Sequence, residues 1–215
     1  MEDKNIHSKI IKEICKEILI PLGVFQKGTS RLYIDDNDYY FTVIEFQHSS
    51  FSRGTYLNIG VTFLWNSNQQ DFLGFGFPRK IAARYGNFIK YENEKQFRNE
   101  VIQLVNIAKE EIMFYRNLRD IKFAKDWMIK YISNYGEKKY ARFGLDLKNI
   151  CSLNDDLELA KFYYENYYKE REKKNLINYD ELNKNYIVSN IMATRRMWHS
   201  KPSMKKMPIS LEYDK

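Results

Sequence analysis

Cysteine, proline and histidine are scarce in this 215-residue chain, and each scarcity removes a class of function. Its two cysteines, Cys15 and Cys151, stand far apart beside aliphatic residues, which suits buried reduced thiols rather than a disulfide framework or a zinc site. There are three histidines: His7 near the start, His48 at a strand end and His199 in the tail. None of them offers a serine or cysteine an obvious base, and neither a phosphate loop nor a dinucleotide fingerprint is present. Long apolar runs are missing too. No stretch approaches the ~20 residues a helix needs to cross a bilayer, and the charged segment from Met1 to Ser8 lacks the apolar block of a signal peptide. The expectation is a cytoplasmic protein with no cofactor and no metal.

What is present is a large apolar complement, 44% hydrophobic and 16% aromatic, ample for a core. Charge is distributed unevenly. Residues 1–116 carry 15 basic and 14 acidic side chains, whereas 117–215 carry 20 and 14, so the excess of seven lies almost wholly in the C-terminal half. Such a surplus favours anionic partners, whether nucleic acid, an acidic protein or a phosphorylated ligand. Lysine-rich surfaces also serve plain solubility, and that is the simpler reading of the excess.

Ile6, Ile10, Ile14 and Ile18 recur on one helical face until Pro21 and Gly23 end the pattern. Turn residues at Gly28, Asp35–Asp38 and Ser49–Gly54 then separate short strands near 24–27, 30–35, 39–47 and 55–65, an antiparallel meander. A fifth strand is expected from Asp71 to Phe77. Asn93, followed three residues later by Gln96, forms a capping box for a helix striped by Phe97, Val101, Leu104, Val105, Ala108 and Ile112. After a composition shift near Asn117, helical spacing returns from Ile121 to Tyr135, then a short apolar segment runs from Tyr140 to Cys151. Asn154 is read as the cap of the next helix, and a last helix covers Tyr179 to Trp198. The fold class is therefore α+β: an N-terminal helix, an antiparallel β-meander of four or five strands, a long helix, then an all-α C-terminal extension. The domains are 1–116, and 117–215 with a basic tail. That extension is expected to cover Tyr39, Phe41 and Val43, which would otherwise leave an apolar patch in water.

Several segments of the first domain match a known pattern: Lys9–Ile10–Ile11–Lys12–Glu13–Ile14, Phe25–Gln26–Lys27–Gly28–Thr29–Ser30–Arg31, Val43–Ile44–Glu45–Phe46–Gln47, and Gly54–Thr55–Tyr56–Leu57–Asn58–Ile59–Gly60–Val61. In their order and spacing, residues of about 5–116 resemble the bacterial domain-of-unknown-function family number 4304. The resemblance implies a bacterial α+β domain and no assigned activity. The helical C-terminal region of that family is echoed only loosely, at Trp127 and from Ala141 to Gly144.

Three groups of residues are candidate sites. Alternation along a strand places Glu45 and Gln47 on one face, where Asn58 of the neighbouring strand can meet them. A carboxylate beside two amides can hold a polar ligand, or it can form a cross-strand ladder that satisfies only itself. Lys27, Arg31, His48 and Arg53 form the second group, a cationic pocket for carboxylate or phosphate if the loop before Gly54 folds back; otherwise they are solvated edge charges. The third group is the tail, where Arg195, Arg196, Trp198, Lys205 and Lys206 combine an aromatic with cations as nucleic-acid contacts do. Its bland counterpart is a helix end on which Trp198 packs down, and that is preferred.

A nuclease is the alternative. Asp36, Glu45 and Gln47 with Glu13 resemble a degenerate restriction-endonuclease-like site for a divalent metal, although Gln47 stands where that pattern has lysine. The preferred expectation is a non-enzymatic binding protein that recognises an anionic macromolecule, protein in preference to nucleic acid, of the kind that serves in bacterial conflict or immunity.

Overall fold

The computed structural model describes residues 5–65, 81–136 and 138–200. Two compact units emerge. Among the described residues, one takes in 5–62, 81–116 and 198–200, and the other 63–65, 117–136 and 138–197. Residues 63–65 and 198–200 thus fall on the other side of the division expected at 116/117.

The first unit begins with α1 (Ile6–Ile18), whose buried face is Ile10, Ile11, Ile14 and Cys15. Gly23 ends the 3-10 turn that follows, at φ +86°, a left-handed conformation that costs glycine little. Five strands then form one antiparallel sheet in sequence order: β1 (Phe25–Gln26), β2 (Leu32–Asp36), β3 (Tyr40–Gln47), β4 (Gly54–Phe63) and β5 (Ile81–Lys90). The helix α2 (Glu94–Tyr115) completes it, with the Asn93 side chain accepting from the Gln96 backbone N–H at 3.0 Å as the capping pattern predicts.

Register assigns the two faces. Leu32 lies opposite Glu45 and Ile34 opposite Val43, while Tyr33 faces Ile44 and Asp35 faces Thr42. The face with Tyr33, Tyr40, Thr42 and Ile44 meets the helices: the Tyr40 hydroxyl donates to the Tyr115 carbonyl at 2.6 Å, and the Tyr85 hydroxyl donates to Glu111 of α2 at 2.7 Å. Asp35 is buried there and receives Arg116 through two nitrogens, at 2.6 and 3.0 Å, a fork geometry that fixes the end of α2 to β2. On the opposite face Trp198 is fully buried, its ring edge-on to Phe41 at 6.5 Å between centroids.

The second unit contains α3 (Ile121–Ser133), α4 (Lys139–Leu153), α5 (Leu157–Glu170) and most of α6 (Lys184–His199). The segment from Tyr140 to Cys151, read as a short apolar run, is the greater part of α4, and the buried stretch from Leu147 to Leu153 blurs its helical period. The cap of α5 is Asp156, which accepts from the Leu159 N–H at 3.4 Å; Asn154 closes α4 instead. The helix expected from Tyr179 starts only at Lys184, because Asn183 is extended (φ −67°, ψ 128°) and its side chain accepts from the Asn185 N–H. Gly144 lets α4 and α5 approach: a Cβ there would stand 2.8 Å from the Tyr167 Cβ. The strand expected at Asp71–Phe77 lies outside the described residues, while β5 carries no clear strand pattern in its sequence because Gly86, at φ +71° within a bulge, breaks its alternation.

Candidate functional site

Two clusters gather at the end of the sheet where β3 leaves and β4 enters. The first is built across three strands. Asn58 is buried, and its amide nitrogen donates to Glu45 at 3.1 Å and to Gln47 at 2.8 Å. Arg84, directly opposite Asn58 in β5, donates to the side-chain Oδ1 of Asn58 at 3.2 Å and to Gln47 at 3.0 Å. Its guanidinium also lies 4.0 Å over the Tyr56 ring, whose other neighbour is Phe88 at 4.8 Å. Alternation accounts for the shared face of Glu45, Gln47 and Asn58. Arg84 and Tyr56 join them only in the folded chain, since pairing Asn58 with Arg84 requires the β4–β5 register, which no local signal carries. Both functional atoms of the Asn58 amide are engaged within the cluster, so it acts chemically as a closed ladder that locks three strands in register.

The second cluster is cationic. The Arg31 guanidinium donates to the Ser8 hydroxyl at 2.6 Å and to the Gly54 carbonyl at 3.2 Å, joining the first turn of α1 to the start of β4. His7 adjoins Ser8 and Arg53 adjoins Gly54, so this one side chain holds two other basic residues near it. Backbone bonds hold the frame: Phe46 N–H donates to the Arg31 carbonyl at 3.0 Å, and Tyr91 N–H to the Arg53 carbonyl at 2.9 Å. His7 registers the result. Burial lowers its pKa below the ordinary histidine value, and Arg31, Arg53 and His48 lower it further in that order. Among the described residues, the side chains acting on it electrostatically are all basic. Burial likewise lowers the pKa of Arg31.

The structure therefore brings together Arg31, His48 and Arg53 of the second predicted group and adds His7. Lys27 occupies the turn between β1 and β2, where its carbonyl accepts from Ser30, and it is not among the charges acting on His7. Position in the first turn of an amphipathic helix gave His7 no distinguishing signal; only the Arg31–Ser8 bond reveals its place.

The residues of the metal-nuclease alternative do not converge. Asp36 pairs with Phe41 and Glu45 with Leu32, so the two carboxylates sit at opposite ends of β2, roughly 13 Å apart at 3.3 Å per residue. Asp36 accepts from the Asp38 N–H in the hairpin turn, Gln47 belongs to the ladder, and Glu13 pairs with Arg98 of α2 at 2.9 Å. Among the described residues, no group of three or more His, Cys, Asp or Glu side chains is placed to hold a metal ion.

In the tail, Trp198 and Arg195 are buried and Arg196 is exposed, so the Trp198 ring presents no face on which a base can stack. Lys205 and Lys206 lie outside the described residues. No helix among the described residues is long and apolar enough to cross a membrane. Compared with known proteins, the chain matches no family model, no curated protein and no solved structure.

Proposed function

We propose that this chain is a binding protein that recognises an acidic segment of another protein through the cationic end of its sheet. The observation that carries the reading is the Arg31 bridge between Ser8 and Gly54, which concentrates His7, Arg31, His48 and Arg53 from three separate segments of the chain. A carboxylate entering there meets a half-buried guanidinium whose orientation is already fixed, so little side-chain entropy is lost on binding. Protein is favoured over nucleic acid because residues 1–116 are nearly neutral, with 15 basic and 14 acidic groups. A nucleic-acid interface draws its affinity from a track of several phosphate contacts, and a single compact cluster does not supply one.

The test is binding of a fluorescein-labelled oligoglutamate peptide, followed by anisotropy against salt and pH. Affinity is expected to fall with salt and to disappear in the His48→Glu, Arg53→Glu double variant, both positions being exposed. It should also strengthen as pH falls through the lowered His7 pKa, below 6.5, because a bound carboxylate favours the protonated imidazole that the neighbouring cations disfavour. Binding that is indifferent to both the charge reversal and pH would refute the reading.

A further inference from the structure

Phe51 stands at the tip of the β3–β4 hairpin with 99% of its surface exposed, the most exposed of the large apolar side chains among the described residues. Single exposed leucines or isoleucines on a surface need no explanation. A fully exposed phenylalanine differs here because of its setting, three residues after His48 and two before Arg53. The tip is short and ordered by its own serines, with Phe51 N–H donating to the Ser49 hydroxyl at 3.1 Å. Both strands beneath it are tied down: Thr55 donates to the Gln47 carbonyl at 3.2 Å, and the Gly54 carbonyl accepts from Arg31.

We infer that Phe51 is the apolar anchor of the interface, inserting beside an apolar side chain of an acidic protein segment while the cluster beneath it takes a neighbouring carboxylate. This rests on the anionic-partner reading above and specifies the partner further: acidic residues interspersed with at least one large apolar residue. The chemistry is that of a binding hot spot, in which one aromatic and one arginine carry most of the affinity. Presenting the ring on a hairpin held by Arg31 limits the freedom lost when it docks. Charge complementarity selects the occupant. The guanidinium groups of Arg31 and Arg53, with His7 and His48 beside them, gather at the foot of the hairpin, and the Arg31 guanidinium is held there by hydroxyl and carbonyl oxygens, Ser8 and Gly54.

The deciding measurement compares three labelled probes on the full chain: oligoglutamate, a peptide of alternating glutamate and leucine of the same length, and oligothymidylate. Wild type is expected to bind the Glu/Leu peptide about tenfold or more tightly than oligoglutamate. In Phe51→Ala that advantage should vanish, while oligoglutamate affinity, its salt dependence and the melting temperature stay unchanged. A leucine advantage that survives Phe51→Ala, or that is absent in wild type, overturns the anchor and leaves the charge-based reading standing. Failure of both peptides to bind overturns both. Tighter, Phe51-dependent binding of oligothymidylate overturns the acidic-protein assignment in favour of single-stranded nucleic acid.

Discussion

Replacing Gly54 by alanine is expected to destabilise the sheet unit more than the same change at Gly23 or Gly86, and the structure separates the two causes. Gly54 has φ +150°, and an added Cβ would lie 2.1 Å from the Ile89 carbonyl oxygen and 2.6 Å from the Phe88 ring. The dihedral alone costs about 1 to 3 kcal/mol in a residue other than glycine. The clash is with backbone, so β4 and β5 must separate, an overpacking cost of about 1 to 3 kcal/mol more. A total of roughly 2 to 6 kcal/mol is a large part of the ~5 to 15 kcal/mol that holds an ordinary domain folded. Gly23 supplies the control, with φ +86° and nothing within 4 Å of its added Cβ. Gly23→Ala therefore carries the dihedral cost alone, about 1 to 2 kcal/mol. Urea unfolding of both variants, read by circular dichroism with m-values compared, tests the reasoning. Equal losses would show that the close approach of Gly54 to Ile89 has no energetic weight. Because the Gly54 carbonyl also holds Arg31, any Gly54→Ala protein that folds should bind oligoglutamate more weakly.

Gly144→Ala tests the helical unit in the same way: in an open helix the change would gain about 1 kcal/mol of propensity, but the 2.8 Å approach to Tyr167 should turn it into a net loss of about 1 to 2 kcal/mol. A raised urea midpoint for that variant would mean that α4 and α5 do not approach so closely. Lys148, buried and donating to the Glu181 carbonyl at 2.8 Å, has its pKa lowered by burial to about 8. Its folded value lies below the unfolded one of about 10.5, so the unfolded chain binds more protons in that window and the Lys148 contribution to stability rises with pH from 8 upward. Relative to wild type, Lys148→Met should therefore look most stable below pH 8, and its advantage should shrink by roughly 3 kcal/mol toward pH 10.5; a difference in urea midpoints that does not change with pH refutes this.

Local pattern determined the elements whose signals lie within a few residues. The isoleucine period of α1, the Asn93–Gln96 cap of α2 and the alternation of Tyr40–Gln47 are each set by neighbouring residues, and each was legible in the sequence. That alternation alone put Glu45 and Gln47 on one face, within reach of Asn58. Where burial is all round, as along α4, the period fades and the helix reads only as an apolar run. Where a bulge interrupts alternation, as at Gly86, the strand disappears from view. Chain folding over distance decided the rest. Arg84 reaches Asn58 across 26 residues of sequence, Arg31 reaches Ser8 across 23, and Arg116 reaches Asp35 across 81. Such pairings depend on register and on the docking of a helix, and these are set by the packing of the whole unit rather than by the residues on either side. Composition could thus name Arg31, His48 and Arg53 as basic residues near a turn, but only tertiary structure could bring His7 beside them.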